Sequence, residues 1–373
     1  MTIRILHIAD AHLGAPLASF GDYARQRRAD QEMAFRRAID AAIRERVHAV
    51  VVAGDLFDTF RPDAEAVNLA RGELARLRHA GIPVFGVPGT HDAMSWAECV
   101  YRTETLPFQR FFVDPRFDEP ATLEIGGVPL TVYGIAYDRQ RSGRGWDSLA
   151  RRRADGIHVA LVHAACRFAP DWPIGPDDLP FEERELAGFG MDYVALGHYH
   201  NLRVFRDGER VLGAYSGSLE GRDWTECGPR HALLVEWDAA GPPSRITPVA
   251  VHSRMLEERD VDVSGLRDHA EIADAIRAAC PPGPLWSVTL VGEPEGAIPT
   301  RDLESELAAG YDHVRIKDAT TLARSHVVTE RVEEETVRGE FFRRLVAARE
   351  GALAERERAV ADRALKLGLR VFG

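Results

Sequence analysis

The stretch VFGVPGTHDAM, from Val84 to Met94, joins an apolar run to a group of polar residues. The run VFGV is typical of a buried strand, and Pro88-Gly89 ends it. Thr90, His91 and Asp92 follow directly. In open α/β sheets, ligands bind at the carboxyl ends of the strands. The stretch therefore predicts a strand of an α/β fold whose end carries functional side chains.

Short apolar runs of the same kind recur along the chain and predict eight buried strands. They are IRILHIA (3–9), HAVVVAG (48–54), IPVFGVP (82–88), LTVYGIA (130–136), HVALVHA (158–164), YVALGHY (193–199), VLGAYSG (211–217) and HALLVEW (231–237). Several are almost continuously apolar, which is typical of strands covered on both faces. Residues 24–46 and 63–80 have apolar positions at helical spacing. Alternation of strands and helices favours an α/β fold.

The pattern changes after about residue 251. Only weak strand signals (SVTLVG, HVRIKD) and two helical stretches occur between 252 and 322, which predicts a small α/β domain. From about Glu330 the chain is charged and helical. Val337, Phe341 and Leu345 form an apolar stripe there at positions i, i+4 and i+8. The stripe is either a docking face for a partner or a face packed on the chain's own core.

Five clusters of potential metal ligands follow the predicted strands. They contain Asp10 and His12; Asp55 and Asp58; Thr90, His91 and Asp92; His163; and His198 and His200. Each feature alone is weak, since Asp-x-His is common on surfaces, Gly-Asp is a common turn and a lone strand histidine is usually structural. Together they indicate that carboxylates and imidazoles converge at one sheet edge, a donor set that suits Mn²⁺, Fe²⁺ or Zn²⁺.

Composition limits the classes of protein that fit. The 373 residues are 45% hydrophobic and 28% charged, as in globular proteins, and suggest two or three domains. A formal net charge of −11 argues against a basic nucleic-acid coat protein, so contacts with DNA would need local patches or a partner. No apolar run approaches a membrane span, and MTIRILHIADAHLG lacks the layout of a signal peptide. Four widely spaced cysteines fit no zinc pattern, so a reduced cytoplasm is the expected compartment.

The motifs DxH, GDxxD, G(N)HD, a strand histidine and GHxH together resemble the calcineurin-like metallophosphoesterase superfamily over roughly residues 1 to 250. The resemblance implies a β-sandwich flanked by helices and two metal ions about 3.5–4 Å apart. It also implies a role for each matching position. Asp10, His12 and His200 would bind the first ion, His163, His198 and Thr90 the second, and Asp55 both.

The same resemblance implies that His91 is the general acid. Its imidazolium would protonate the leaving oxygen, with Asp92 or Asp58 orienting it. Thr90 departs from the family pattern, in which Asn supplies an amide oxygen, because a threonine hydroxyl is shorter and a weaker ligand. Water could fill the gap, the loop could shift, or the second ion could be lost. We expect an active enzyme with a weakened second site.

A closer resemblance concerns the SbcD/YhaO type of DNA-repair exonuclease. It rests on ILHIADAHLG, GDLFD, YSGSLEGRDWTECGPRHALLVE (215–236) and TVRGEFFRRL in the tail. It implies a homodimeric nuclease paired with an SMC-like coiled-coil ATPase of the SbcC/YhaN type. The implied domains are a nuclease domain (1–250), a capping domain (251–325) and a C-terminal helical segment (326–373) that binds the ATPase. Mn²⁺ is the expected metal, with Fe²⁺, Zn²⁺ or Mg²⁺ as alternatives.

Two other functions stay open at the level of sequence. One is a small-molecule phosphodiesterase, because the same metal site serves many diesters. The other is a subunit that binds DNA or the ATPase without cutting, for which Thr90 is the only support. Three arginine clusters and the pair Arg222 and Trp224 could contact DNA or could be ordinary surface and packing residues. The clusters are Arg25, Arg27 and Arg28; Arg139, Arg141 and Arg144; and Arg151, Arg152 and Arg153.

Overall fold

The computed structural model describes residues 2–116, 119–137, 149–167, 174, 178–295, 298, 300–321 and 326–372. The chain forms two compact units, Met1–Met255 and Leu256–Gly373. The strands of the first unit are β1 (Ile3–Ile8), β2 (Ala49–Ala53), β3 (Val84–Val87), β4 (Arg110–Phe111), β5 (Ala121–Ile125), β6 (Val128–Ile135), β7 (Ile157–His163), β8 (Tyr193–Gly197), β9 (Arg203–Asp207), β10 (Arg210–Tyr215), β11 (His231–Trp237) and β12 (Arg245–Ala250). Its helices are α1 (Ala24–Arg44), α2 (Ala64–His79), α3 (Val100–Thr103) and α4 (Glu185–Gly188), with a 3-10 turn at Ala18–Tyr23.

The first unit contains two six-stranded mixed sheets. One has the order β12-β11-β1-β2-β3-β4 and the other has the order β5-β6-β7-β8-β10-β9. Strands β1, β2 and β3 run parallel to one another, as do β6, β7 and β8. Parallel neighbours bring their carboxyl ends to one edge of each sheet.

The two sheets pack face to face and helices cover the outer side of the first sheet. Alternate strand residues such as Val51, Phe85 and Leu161 form the core between the sheets. The other face of the first sheet, including Val50, packs against α1 and α2. Because each central strand is buried on both faces, its sequence is almost continuously apolar. The predicted α/β sandwich flanked by helices is confirmed, and each of the eight apolar runs contains a strand.

The second unit is a three-stranded parallel sheet with helices. Its strands are β13 (Leu256–Asp262), β14 (Leu285–Val291) and β15 (Val314–Asp318). Its helices are α5 (His269–Ala279), α6 (Thr300–Leu307), α7 (His326–Glu333), α8 (Val337–Gly351) and α9 (Glu355–Phe372). Helices α5 and α6 connect successive strands, as parallel pairing requires. Within the described ranges, no helix is long and apolar enough to cross a membrane.

The apolar stripe of α8 is divided between surface and core. Val337 is 90% exposed. Phe341 and Leu345 are partly buried against a cluster formed by Val328, Phe342, Leu365 and Leu369. Packing on the chain's own core therefore accounts for two of the three stripe residues. The use of the stripe for docking stays a prediction, as do the capping and partner-binding roles of 251–325 and 326–373.

Candidate metal centre

The predicted ligand clusters meet at one place, where the carboxyl ends of the two sheets converge. The loop after β1 lies along the loop after β2, since the Asp10 amide donates to the Gly54 carbonyl (3.2 Å) and the His12 amide to the Asp55 carbonyl (3.0 Å). The loop after β8 joins them, because the His198 amide donates to both carboxylate oxygens of Asp10 at 3.0 and 3.1 Å. Hydrogen bonds between protein groups thus hold these clusters together without a metal.

The loops at this edge have unusual backbone conformations. Asp10, His12, Asp55 and His198 all have positive φ, at 51°, 45°, 48° and 110°. Residues with a Cβ seldom adopt such angles, and when they do they cluster at functional sites. Gly54 also has positive φ (91°), and a Cβ there would lie 2.3 Å from His163 Nδ1. The glycine before Asp55 is therefore required both by its backbone angle and by the close approach of His163.

Asp10, His12 and His200 form one group of possible metal ligands. One donor atom from each lies within 4.8 Å of the other two. His12 Nε2 and His200 Nε2 are 3.2 Å apart. Asp10 and His12 are buried, so these donors face the protein interior rather than solvent.

Asp55 lies at the centre of a second group with Asp10 and His163. Its Oδ2 is 3.3 Å from His163 Nε2 and 3.7 Å from His12 Nε2. Its Oδ1 accepts the His91 amide at 2.8 Å. One carboxylate thus lies within reach of donors from both groups, which is the position expected of a bridging ligand.

His198 and Thr90 border the same group. The His198 ring is edge-on to that of His163, with centroids 5.3 Å apart. His198 Nε2 and His163 Nε2 are buried and make no hydrogen bond to any residue that the structure describes. The Thr90 hydroxyl donates to Asp55 Oδ2 at 3.2 Å, so its side chain faces the centre.

His91 lies at the exposed margin of the centre. Its side chain is 41% exposed, and its Nδ1 is 2.9 Å from the Asp58 carbonyl oxygen and 3.7 Å from Asp58 Oδ1. Because a carbonyl only accepts, Nδ1 must carry the proton of this hydrogen bond. His12, Asp58 and His91 form a third group of mutually close donor atoms.

The carboxylate of Asp92, one of the two residues predicted to orient His91, is bonded to other groups. Its Oδ1 accepts the Gly89 amide (2.7 Å), and its Oδ2 accepts the Phe57 amide (3.1 Å) and the Tyr101 hydroxyl (2.5 Å). The carboxyl is fully buried and tethers two loops. Neighbouring residues in a loop point in different directions, and the orienting role of Asp92 stays a prediction. Asp58 is the residue beside His91.

Glu226 is a functional candidate that the sequence reasoning missed. Its Oε1 is 2.6 Å from His200 Nδ1, and its Oε2 accepts the Ser218 hydroxyl (3.0 Å) and the Arg222 amide (3.1 Å). Carboxylates commonly hold the second ring nitrogen of metal-binding histidines. A single glutamate in a polar loop gives no sequence signal, because only the fold shows which carboxylate reaches His200.

The charges of the centre are strongly coupled. Burial lowers the pKa of His163, but the Asp55 and Asp10 carboxylates and the Ala53 carbonyl together outweigh it and raise that pKa to about 9. Burial opposes ionisation of Asp55, yet His163 holds the Asp55 pKa well below its usual range. Burial raises the pKa of Asp10 to about 6. It lowers the pKa of His198 to about 3, so that ring is neutral and able to bind a metal at neutral pH.

The arginine clusters are largely engaged in ion pairs. Arg27 is fully buried and binds Glu220 at 2.6 Å, so it is not available to DNA. Arg151 pairs with Asp192 and Arg153 with Asp155. Arg139, Arg141 and Arg144 lie outside the described residues. Trp224 is buried and packs beside Phe20, with centroids 5.2 Å apart, which favours a packing role.

Comparison with known proteins identifies relatives of this arrangement. Residues 3–202 match the model of the calcineurin-like phosphoesterases. The chain is 32% identical over 217 residues to the DNA double-strand break repair protein Mre11 of Sulfurisphaera tokodaii, covering 56% of this chain and 52% of that protein. It is 28% identical over 247 residues to the metallophosphoesterase YhaO of Bacillus subtilis, covering 62% of this chain and 57% of that protein. It is 30% identical over 285 residues to Mre11 of Aeropyrum pernix, covering 70% of this chain and 64% of that protein. The chain thus spans little more than half the length of the first two relatives.

Proposed function

Because this chain belongs to the calcineurin-like phosphoesterase family, we propose that it is a metal-dependent nuclease that hydrolyses phosphodiester bonds of DNA during repair. The observation that carries the proposal is the convergence of buried carboxylates and imidazoles beside a half-exposed histidine, His91. Similarity to two repair proteins named Mre11 supports DNA as the substrate.

The donor set fits two divalent ions. Carboxylate and imidazole ligands are mutually close, and the buried Nε2 atoms of His163 and His198 make no hydrogen bond within the described part of the chain. Buried polar atoms of this kind are explained when a metal takes the missing partner's place. Asp10, His12 and His200 would hold one ion, His163, His198 and Thr90 the other, and Asp55 both.

The ions would supply charge neutralisation at the phosphate and an ionised water at neutral pH. The protein supplies position and a proton. In hydrolysis, the water oxygen forms a new bond to phosphorus and the bond to the leaving oxygen breaks. The N–H at His91 Nδ1 donates a hydrogen bond to the Asp58 carbonyl. In the imidazolium, the proton on Nε2 is therefore the one that can be transferred to the leaving oxygen. Asp58 is the orienting residue in this proposal.

Thr90 would weaken the second metal position. A hydroxyl is a poorer ligand than the amide oxygen of asparagine, and this hydroxyl donates to Asp55. Every other position expected from the family pattern carries a suitable side chain. The proposal is therefore an active nuclease with a weakened second site. Mn²⁺ is the favoured metal because mixed carboxylate and imidazole sites accept it, with Fe²⁺, Zn²⁺ and Mg²⁺ as alternatives.

The test is degradation of labelled linear DNA by the purified chain in Mn²⁺, beside His91→Ala and Thr90→Asn. We expect cutting by the wild type, a loss of about 10²-fold or more in His91→Ala, and tighter binding of the second ion in Thr90→Asn. If the wild type did not cut DNA but Thr90→Asn did, the chain would instead be a subunit that binds without cutting. Activity on a small diester that excess DNA does not inhibit would favour a small-molecule phosphodiesterase.

The proposal also includes a cytoplasmic homodimer that works with an SMC-like coiled-coil ATPase of the SbcC/YhaN type. The resemblance of the opening and tail motifs to the SbcD/YhaO type and the exposed Val337 on α8 support this part. Light scattering of the purified chain tests the dimer. Co-purification with the ATPase, compared between wild type and Val337→Glu, tests the docking face. A monomer, or equal recovery of both variants, would contradict the respective part.

A further inference from the structure

Arg222 lies in the loop between β10 and β11 and reaches the margin of the metal centre. Its Nη1 is 3.7 Å from Asp58 Oδ1. The same oxygen is 3.1 Å from His12 Nδ1 and 3.7 Å from His91 Nδ1. Arg222 therefore shares one carboxylate oxygen with a candidate ligand and with the candidate general acid.

The loop that carries Arg222 is fixed on both sides of this residue. On one side, Arg27 donates to the Gly221 carbonyl from Nε (3.2 Å) and Nη2 (2.8 Å). On the other side, the Arg222 amide donates to Glu226, whose second oxygen is bonded to His200. A buried arginine and a buried glutamate thus determine where the Arg222 side chain begins. Such support is typical of residues whose position matters for chemistry.

The guanidinium itself is only partly engaged. Arg222 Nη1 is buried but makes no hydrogen bond to any residue of the described ranges, and Asp58 Oδ1 is in the same condition. A purely structural ion pair would bring these atoms to about 2.7–2.9 Å. A buried cationic donor whose nearest carboxylate oxygen is 3.7 Å away is only weakly paired, so a ligand that fills the gap would be favoured. About a fifth of the side chain, 21%, remains exposed, which leaves a path for that ligand.

The guanidinium of Arg222 determines which kind of ligand fits beside it. A guanidinium presents planar donors that match the oxygens of a phosphate, and it stays charged at any physiological pH. We propose that Arg222 binds a non-bridging oxygen of the phosphodiester that is cut, a role that rests on the proposed nuclease function. Arg222 is then a catalytic residue beyond the metal ligands and His91, and Arg27 and Glu226 are its positioning residues.

The test compares Arg222→Gln and Arg222→Lys with the wild type. The control is Arg44→Gln, because the Arg44 side chain is 62% exposed and pairs only with the adjacent Glu45 among the described residues. Three quantities are measured: kcat and KM for bis-(p-nitrophenyl) phosphate in Mn²⁺, bound metal by mass spectrometry, and the affinity for inorganic phosphate by calorimetry. We expect Arg222→Gln to lower kcat by about 10²-fold and to weaken phosphate binding, with metal content unchanged.

Chemical rescue distinguishes a missing guanidinium from a damaged loop. Arg222→Lys keeps the charge and should retain more activity than Arg222→Gln. A third variant, Arg222→Ala, leaves space for a free guanidinium ion, and added guanidinium chloride should partly restore its activity. Arg44→Gln should match the wild type. Wild-type kcat in Arg222→Gln, or equal losses of metal and activity, would overturn the inference and leave the nuclease proposal intact. A wild type that cuts no diester would overturn the nuclease proposal, and the phosphate titration would still decide whether Arg222 binds phosphate.

Discussion

Two buried polar networks lie side by side in the first unit, and they differ in how fully they are satisfied. Around Asp92, the carboxylate oxygens accept three hydrogen bonds from Gly89, Phe57 and Tyr101. In the metal centre, the buried Nε2 atoms of His163 and His198 make no hydrogen bond within the described residues. Folded proteins pair nearly all buried polar groups. A satisfied network is therefore explained by folding alone, whereas an unsatisfied one indicates a ligand.

The largest expected effect comes from removing the central carboxylate of the unsatisfied network. Asp55→Asn should abolish binding of both ions and lower nuclease activity on the order of 10³-fold, or about 4 kcal/mol in activation free energy. Bound Mn²⁺ and the rate of DNA cutting measure it. Asp207→Asn, at an exposed position of β9, is the matched control. Full metal content in Asp55→Asn would break the comparison, because Asp55 would then belong to a structural network.

The satisfied network should respond in stability instead. Asp92→Ala leaves the Phe57 and Gly89 amides and the Tyr101 hydroxyl without their acceptor, which should lower the free energy of unfolding by about 3 kcal/mol. Urea denaturation measures this. The fraction that remains folded should bind Mn²⁺ as the wild type does. A variant of normal stability that cuts DNA poorly would restore Asp92 as an orienting residue for His91.

Glu226 shares features of both networks. Its carboxylate accepts hydrogen bonds from the protein, and it also contacts the candidate ligand His200. Glu226→Gln keeps an acceptor for the Arg222 amide but removes the charge beside His200. Loss of such an outer partner typically weakens metal binding by about 10-fold to 100-fold. Titration with Mn²⁺ measures the change, with Glu183→Gln at the surface as control. Unchanged affinity would show that the 2.6 Å contact between Glu226 and His200 only supports the loop.

The smallest effect is the dependence of metal affinity on pH. In the metal-free protein, Asp55, Asp10 and the Ala53 carbonyl together outweigh burial and raise the pKa of His163 to about 9, so this ring is protonated at pH 7. A histidine must lose that proton to bind a metal. The affinity for Mn²⁺ should therefore rise by up to about tenfold between pH 7 and pH 8. Calorimetry in two buffers counts the proton released at pH 7, and release of none would contradict the shift.

Burial explains which strands could be predicted. The eight apolar runs belong to strands whose residues are mostly covered, such as β2 and β8, each buried throughout. Strands β4, β5, β9, β12 and β13 were not predicted. Their residues alternate or are largely exposed because each of these strands lies at a sheet edge. Apolar content reports burial rather than extension, so a strand that faces solvent gives little signal.

By itself, the sequence determined the fold class and the set of candidate ligands. Both can be recognised within short segments of chain, because each such segment is an apolar strand followed directly by a histidine or an aspartate. The tertiary structure alone decided that Asp58 rather than Asp92 accompanies His91, that Arg27 is buried, and that Glu226 and Arg222 reach the centre. These residues meet across separations such as the 194 positions between Arg27 and Gly221. Side-chain direction in loops is set by packing between distant segments, which no local pattern specifies.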